Sequence, residues 1–186
     1  DNRIGNKFLH AGPGYGGSCF PKDTTALARI GQEHAAQIQI VETVIKVNEE
    51  VKRRMVEKVM DLCDGSVNGK TVAVLGVTFK PNTDDMREAP SRVLIAELVR
   101  CGAMVRAYDP VAISEAQRTL AQDLGPAVLS AHVCFCENSM SALDGAHALC
   151  IVTEWKEFRT PDFSEIAGTL ADKRVFDGRN LYEPEL

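Results

Sequence analysis

The sequence predicts an α/β protein in which a long central helix precedes a Rossmann-like, doubly wound parallel sheet. Two patterns indicate this order. Apolar residues recur at three- and four-residue steps between about Asp23 and Asp64, and from Lys70 onward short apolar runs alternate with helical segments. A glycine-rich stretch comes before both. We therefore expect three parts: a loop at 1–22, a helical region at 23–69 and a sheet domain at 70–186.

The loop contains a cysteine in an unusual setting, because residues 12–23 read GPGYGGSCFPKD. A structural cysteine usually lies among apolar neighbours, whereas Cys19 follows four glycines and precedes Lys22 and Asp23. Lys22 would favour the thiolate, and Asp23 could handle a proton or a water. From the loop alone, the alternative is a small residue that ends a tight turn.

The helical region carries an apolar stripe with two edges, interrupted by one polar residue, Asn48. Such a helix needs a partner surface, which is either the rest of this chain or a second copy of it. Periodicity alone does not distinguish a homodimer from packing within one chain. Gly65 and Gly69 are expected to end the helix.

The sheet domain shows five apolar runs separated by helical patterns. The predicted strands are 71–79, 104–108, 132–136, 147–153 and 174–176, and the predicted helices are 90–102, 114–124, 139–143 and 163–170. Pro90 suits an early helical position, and Gly102 suits the end of the same helix.

Cationic residues follow the first and last predicted strands. Lys80 and Arg87 come after the first strand, and Arg179 comes after the last. The carboxyl ends of parallel strands meet at one edge, where ligands bind, so these cations are expected to converge on a nucleotide-diphosphate site. The alternative is that they are ordinary solvated surface charges.

A dinucleotide site in this sheet has weak support. The turn after the first strand contains no GxGxxG pattern, and Phe79-Lys80-Pro81 stand where phosphate-approach glycines would be needed. Asp109 does end the second strand, where a ribose-binding acid often lies. NAD binding here is therefore the alternative, and a degenerate Rossmann domain that binds a nucleotide diphosphate is preferred.

Composition excludes several classes of function. The 186 residues have a formal net charge of -5, which argues against non-specific binding to nucleic acid or to anionic membrane. No apolar run approaches the roughly 20 residues of a membrane span. The six cysteines form no CxxC pair and the four histidines are dispersed, so we expect no metal site and a reducing, cytoplasmic location. Because the chain starts with Asp1, we expect a piece of a longer polypeptide.

Three separated motifs resemble the nucleotide-sugar dehydrogenases, the UDP-glucose/GDP-mannose dehydrogenase family. They are residues 8–23, residues 76–87 and residues 176–179. The resemblance covers essentially the whole chain and corresponds to the last portion of the family's sequence, so it implies that the N-terminal NAD-binding domain lies outside these residues. It implies an NAD-dependent, two-step oxidation of a sugar C6 alcohol. The motifs favour UDP-glucose over UDP-N-acetylhexosamines and GDP-mannose.

The resemblance also implies roles for individual residues. Cys19 would be the nucleophile, and Asp23 would orient or activate a water. The central helix would form a homodimer. The implied substrate-binding residues are Arg3, from a neighbouring subunit, together with His10, Ala11, Gly12, Pro13, Gly14, Tyr15, Gly16, Phe79, Lys80 and Arg179; the implied cofactor-binding residues are Lys22 and Arg87.

Two other classes of function stay open at this point. One is a cysteine hydrolase or acyltransferase, for which only His34 and His132 are plausible bases. The other is a non-catalytic nucleotide-binding or dimerisation module. With the NAD domain outside the chain, we expect these residues alone to bind UDP without NAD and to be inactive.

Overall fold

The helical region of the chain forms two helices instead of one uninterrupted helix. The computed structural model describes residue 5 and residues 10–183. Helix α1 spans Phe20–Glu33, starting three residues earlier than predicted, and the long helix α2 spans Gln39–Leu62. Between them Ala35 has a φ of 52°, in the left-handed region, and the chain turns there. The apolar spacing continues across the turn, so periodicity did not reveal it.

A parallel sheet of five strands forms the second part of the fold. The strands are β1 (Thr71–Leu75), β2 (Met104–Tyr108), β3 (Val133–Phe135), β4 (Ala148–Ile151) and β5 (Val175–Asp177). They pair in the order β3-β2-β1-β4-β5, and every pairing is parallel. The predicted fold class is confirmed. β1 is shorter than predicted because Gly76, with a φ of 82°, ends it.

Helices cover both faces of the sheet. They are α3 (Pro90–Arg100), α4 (Ile113–Leu124), α5 (Pro126–His132), α6 (Ser139–Leu143) and α7 (Phe163–Thr169), with a 3₁₀ turn at Lys156–Phe158. The sequence did not predict α5, which Pro126 begins directly after Gly125 closes α4. Alternate residues of β1 enter different cores: Val72 and Val74 pack with α2 and α3, whereas Ala73 and Leu75 pack with α6 and α7.

The end of α2 is attached to the sheet domain. Arg174, just before β5, donates from Nη1 to the carbonyl of Leu62 at 2.9 Å and from Nη2 to Asp64 Oδ2 at 2.7 Å. Lys70 Nζ donates to the carbonyl of Cys63 at 2.6 Å. These cations satisfy the last carbonyls of the helix. Since the end of α2 lies near the start of β5, its earlier residues reach the carboxyl edge of the sheet.

Candidate active site

The usual ligand crevice of a doubly wound sheet is filled in this protein. The strand order reverses between β1 and β4, so the crevice would lie beyond their carboxyl ends. A methyl group built on Gly76 would lie only 2.5 Å from Thr153 Cβ. Thr153 Oγ1 also donates to the carbonyl of Thr78 at 2.6 Å. The two strand ends are in contact, and no room is left between them for a diphosphate.

Asp109 is part of the same filled region. The residue is only 1% exposed, and its Oδ2 accepts from the Val77 amide at 2.9 Å and from Trp155 Nε1 at 3.1 Å. Its Oδ1 accepts from the amides of Val111 and Ala112, both at 3.1 Å. Both carboxylate oxygens are therefore occupied by the protein's own donors. Asp109 ties the ends of β1, β2 and β4 together and is not free to bind a ribose, which argues against the alternative of NAD binding in this sheet.

A different site forms where the cysteine loop, residues 10–19, lies against the sheet edge. At β5, Asn180 Nδ2 donates to the carbonyl of Ala11 at 3.3 Å, and a methyl group built on Gly12 would lie 2.9 Å from Arg179 Nη1. At the connection between β1 and α3, the Gly17 amide donates to the carbonyl of Arg87 at 2.7 Å. The loop is thus held at the carboxyl ends of two strands.

The third support of the cysteine loop is α2. Asn48 Oδ1 accepts from the Tyr15 amide at 2.8 Å, and Asn48 Nδ2 donates to the Tyr15 carbonyl at 3.1 Å. This pairing explains the polar residue that interrupts the apolar stripe of α2. Lys52, one turn later, is 2% exposed and contacts Glu49 Oε1 at 2.8 Å and Glu88 Oε2 at 3.9 Å.

Two cavities border the cysteine loop. The His10 cavity has a volume of about 440 Å³ and is lined by His10, Gly12, Gly14, Tyr15, Arg179 and one face of α2. The Lys22 cavity has a volume of about 750 Å³ and is lined by Tyr15, Gly17, Ser18, Lys22, Arg87 and residues of α1 and α2. Five of the residues predicted to bind substrate therefore border the His10 cavity, and the two predicted to bind cofactor border the Lys22 cavity.

Some predicted site residues lie elsewhere. The Phe79 ring packs under the loop, since a methyl group built on Gly17 would lie 2.7 Å from its Cε2. Lys80 is exposed, with its Nζ 5.2 Å from the centroid of the Phe79 ring, and is not among the residues that line either of these two cavities. Lys80, Arg87 and Arg179 therefore do not share one cavity. Arg3 lies outside the described residues.

The remaining predicted residues of the cysteine loop differ in burial and packing. Pro13 is buried, Ala11 is exposed, and Gly16 packs against the main chain of Glu88, where a methyl group would lie 2.4 Å from the carbonyl oxygen. Glu88 itself has a φ of 51°. This side of the loop has no space for a larger residue at position 16.

Cys19 is exposed and occupies the N-cap position of α1. Its side chain makes no capping hydrogen bond to the first turn of the helix, and its Sγ lies 3.7 Å from Ser18 Oγ. Asp23 lies one turn along, its amide bonded to the Cys19 carbonyl at 2.8 Å, and its carboxylate is exposed. The sequence suggested that Lys22 would act on the Cys19 thiol. In the structure the Lys22 ammonium instead contacts a carboxylate, Asp23 Oδ1, at 3.5 Å.

The two arginines of the site are held by carboxylates. Arg87 donates from Nε to Asp85 Oδ1 at 3.0 Å and from Nη2 to Asp85 Oδ2 at 2.7 Å. These bonds hold the pKa of Asp85 below its ordinary value and raise the pKa of Arg87. The nearby Cys19 also raises the pKa of Arg87, by a smaller amount. Arg179 Nη2 forms an ion pair with Glu154 Oε2 at 2.5 Å.

Sequence reasoning missed Glu154 and Lys52. Glu154 stands three residues beyond β4, so its position at a strand end was an available signal. Lys52 lies four residues after Asn48 on α2, and that helical spacing places the two on one face.

Neither histidine proposed as a hydrolase base lies near Cys19. His34 follows the 14-residue helix that Cys19 begins, so about 20 Å separates them. His132 immediately precedes β3, at the amino edge of the sheet, opposite the edge that supports the cysteine loop. The hydrolase alternative therefore loses both of its candidate bases.

Within residue 5 and residues 10–183, no helix combines the length and apolar character needed to cross a bilayer. In the same residues, no three His, Cys, Asp or Glu side chains are grouped so that they could hold a metal ion.

The sequence and the fold of this chain are similar to those of known proteins. Residues 73–184 match the UDP-binding domain of the UDP-glucose/GDP-mannose dehydrogenase family, and residues 1–50 match its central domain. The chain is 45% identical over 185 residues to a UDP-glucose 6-dehydrogenase of Rhizobium meliloti (strain 1021), and 41% identical over 185 residues to UDP-glucose 6-dehydrogenase TuaD of Bacillus subtilis (strain 168). These matches take in 100% of this chain but only 40% and 38% of the relatives' lengths.

A solved structure of a UDP-glucose dehydrogenase from Pyrobaculum islandicum superposes with a TM-score of 0.80 and 34% identity, covering 100% of this chain and 39% of that one. A GDP-mannose dehydrogenase from Pseudomonas aeruginosa, at 21% identity and a TM-score of 0.73, shares the fold. The resemblance inferred from the three sequence motifs is confirmed. This chain belongs to the UDP-glucose/GDP-mannose dehydrogenase family.

Proposed function

We propose that this chain supplies the nucleotide-sugar site and the catalytic cysteine of an NAD-dependent UDP-glucose 6-dehydrogenase, which oxidises UDP-glucose to UDP-glucuronate. The observation that carries the proposal is the exposed Cys19 thiol at the start of α1, directly after Gly17 and Ser18, which line the Lys22 cavity. The identity of 45% to a relative named for this activity supports the choice of substrate.

The His10 cavity is the proposed place of the nucleotide sugar. Its volume of about 440 Å³ lies within the range of small-molecule sites. Arg179 supplies a guanidinium that can bind a diphosphate, and backbone amides of the glycine-rich loop supply further donors. By family resemblance, Phe79 and Lys80 would also meet the substrate.

The chain's own residues fit only part of NAD. The crevice between β1 and β4 is filled, so the sheet of this domain does not take a dinucleotide. Lys22 and Arg87 border the larger cavity and would hold the nicotinamide end, the rest of NAD being bound by a domain outside this chain. NAD, when bound, supplies the hydride acceptor for both oxidations.

Cys19 explains how an aldehyde can be oxidised. The thiolate adds to the C6 carbonyl carbon, and the resulting thiohemiacetal has a C–H bond from which a hydride can leave. Loss of that hydride and of the hydroxyl proton gives a thioester. Water then attacks the thioester carbon, the C–S bond breaks and the thiolate is restored. Asp23 follows Cys19 by one helical turn and would orient that water and accept its proton.

Isothermal titration of the chain with UDP, UDP-glucose and NAD⁺ tests the binding proposal. We expect UDP and UDP-glucose to bind and NAD⁺ not to bind detectably. Arg179→Ala should weaken UDP binding about tenfold or more, because a charge-assisted contact is lost. Arg118→Ala, which removes an exposed ion pair on α4, is the matched control. Equal UDP dissociation constants for the two variants would remove Arg179 from the site.

The substrate is tested separately. The full-length polypeptide containing this chain is assayed with UDP-glucose, UDP-N-acetylhexosamines and GDP-mannose while NADH is followed. The proposal predicts the highest kcat/KM with UDP-glucose. A higher value with another nucleotide sugar would assign that sugar instead, and no turnover with any of them would favour a non-catalytic nucleotide-binding module.

A homodimer through α2 is the proposed assembly. Ile40 is 81% exposed, and Val44 and Val47 follow it at helical spacing on the same face. Val44 and Val47 also line the His10 cavity, so the partner helix would lie beside the nucleotide sugar. Light scattering should give a dimer for the chain and a monomer for Ile40→Glu. Val111→Glu, at an exposed position between β2 and α4, should leave the dimer intact. A monomeric wild-type chain would overturn this assembly.

A further inference from the structure

We infer that Asn48 is a positioning residue whose side-chain amide sets the conformation of the cysteine loop. The inference rests on the proposed function, since it gives Asn48 a part in binding the nucleotide sugar and in presenting Cys19. Asn48 is not itself placed against the reacting atoms. Its effect is transmitted through the main chain of Tyr15.

The setting of Asn48 on α2 supports a specific role. Asn48 is 7% exposed, on a helix whose other buried residues include Met55, Val56 and Val59. A buried amide is unfavourable there unless its polar atoms are paired. Both polar groups of the amide are paired, and both partners belong to one residue 33 positions earlier in the chain.

The cysteine loop has little intrinsic preference for one conformation. Tyr15 stands between Gly14 on one side and Gly16 and Gly17 on the other, and glycine restricts the backbone least of all residues. The conformation must therefore be imposed by contacts. Asn48 binds both main-chain polar groups of Tyr15, which fixes the peptide planes before and after it.

Gly14 shows how closely the loop follows α2. It has a φ of 108°, and a methyl group built on it would lie 2.9 Å from Asn48 Oδ1 and 3.2 Å from Lys52 Cγ. The loop therefore contacts the helix directly at this point. Tyr15 and Asn48 also line both the His10 cavity and the Lys22 cavity. A shift of Tyr15 would alter both cavities and the approach to Cys19.

Two variants separate the hydrogen bonds of Asn48 from its volume. Asn48→Leu has a similar size and makes neither bond, whereas Asn48→Asp keeps the acceptor for the Tyr15 amide and loses the donor to the Tyr15 carbonyl. The matched control is Asn138→Ala. Asn138 caps α6 by accepting from the Ser141 amide at 2.8 Å, so its loss affects stability away from the loop.

The measurements are hydrogen exchange of the Tyr15 amide, followed by NMR, and the UDP dissociation constant of the chain. Asn48→Leu should speed Tyr15 exchange and weaken UDP binding, each by about tenfold or more, because two hydrogen bonds are lost. Asn48→Asp should give a smaller increase in exchange. Asn138→Ala should lower the melting temperature while leaving both quantities at their wild-type values.

A melting-temperature change in Asn48→Leu without a change in Tyr15 exchange or UDP affinity would overturn the inference, since that is what a merely structural residue gives. If Asn48→Leu fails to fold, the Tyr15 amide exchange rate and the UDP dissociation constant are measured for Asn48→Asp instead. Wild-type values of both in that variant would overturn the inference. A wild-type chain that does not bind UDP would contradict the proposed nucleotide site. Tyr15 exchange would then still decide whether Asn48 sets the loop conformation.

Discussion

Gly16→Ala adds a single methyl group at the tightest contact of the cysteine loop. That methyl carbon would lie 2.4 Å from the Glu88 carbonyl oxygen, 1.0 Å short of the 3.4 Å at which ordinary contact begins. Glu88 cannot easily move away, because its backbone adopts a φ of 51° just before α3. The carbonyl of its neighbour Arg87 also accepts a hydrogen bond from the Gly17 amide. The loop must therefore move by about 1 Å at this point.

A displacement of that size should mainly impair the site. Misplacing reacting groups by about 1 Å can lower a rate about a hundredfold, so we expect such a loss in NADH formation from UDP-glucose by the full-length polypeptide containing this chain. The cost to folding should be within the range of about 1–3 kcal/mol that overpacking produces. Turnover and a urea titration measure the two effects on the same variant.

Gly168→Ala is the matched control for the added methyl group. Gly168 lies in α7, and apart from its chain neighbours and the backbone of its own helix no atom comes within 4 Å of a methyl group built there. Alanine is the better helix former, so this variant should keep full activity and gain up to about 1 kcal/mol in stability. If Gly16→Ala turns over as fast as Gly168→Ala, the loop is not held as closely as the structure indicates.

Asp23→Asn should slow thioester hydrolysis, so that an acyl adduct on Cys19 accumulates and is seen by intact mass; slow turnover without an adduct would count against Asp23. Arg87→Met should raise the pKa of Asp85 toward its ordinary value in an NMR titration, since Arg87 now lowers it. A carboxyl group whose pKa is lower in the folded state than in the unfolded state stabilises the fold at pH values above the unfolded pKa of about 4. That stabilisation is lost as the pH falls through the folded pKa. An unchanged Asp85 titration in Arg87→Met would refute the pairing. Thr153→Val should cost about 1–3 kcal/mol in urea unfolding by leaving a buried carbonyl after β1 unpaired, and an unchanged midpoint would contradict this.

The fold could be predicted well because its signals are local. Alternating apolar runs identified the five strands, and Pro90 and Gly102 marked the limits of α3 to within two residues. The turn between α1 and α2 could not be predicted, since the apolar spacing runs through it. It depends on the backbone conformation of Ala35, a residue type that usually continues a helix.

Candidate site residues could be proposed from the sequence where reactive groups lie in one segment. Cys19 and Asp23 were proposed from the composition of the loop, and in the structure both lie at the start of one helix. The partner of Arg179 was not identified, because Glu154 is distant in the sequence and the two meet only across neighbouring strand ends. Asn48 was noticed as an interruption, but its partner, 33 residues away, could be found only from the folded structure.

The proposed mechanism depends on one step, in which the Cys19 thiol captures the sugar aldehyde. The most direct test is Cys19→Ala in the full-length polypeptide containing this chain, with UDP-glucuronate formation and UDP-glucose binding measured on one preparation. We expect that UDP-glucuronate is no longer formed while the UDP-glucose dissociation constant stays close to its wild-type value. Formation of UDP-glucuronate at the wild-type rate would contradict the covalent mechanism.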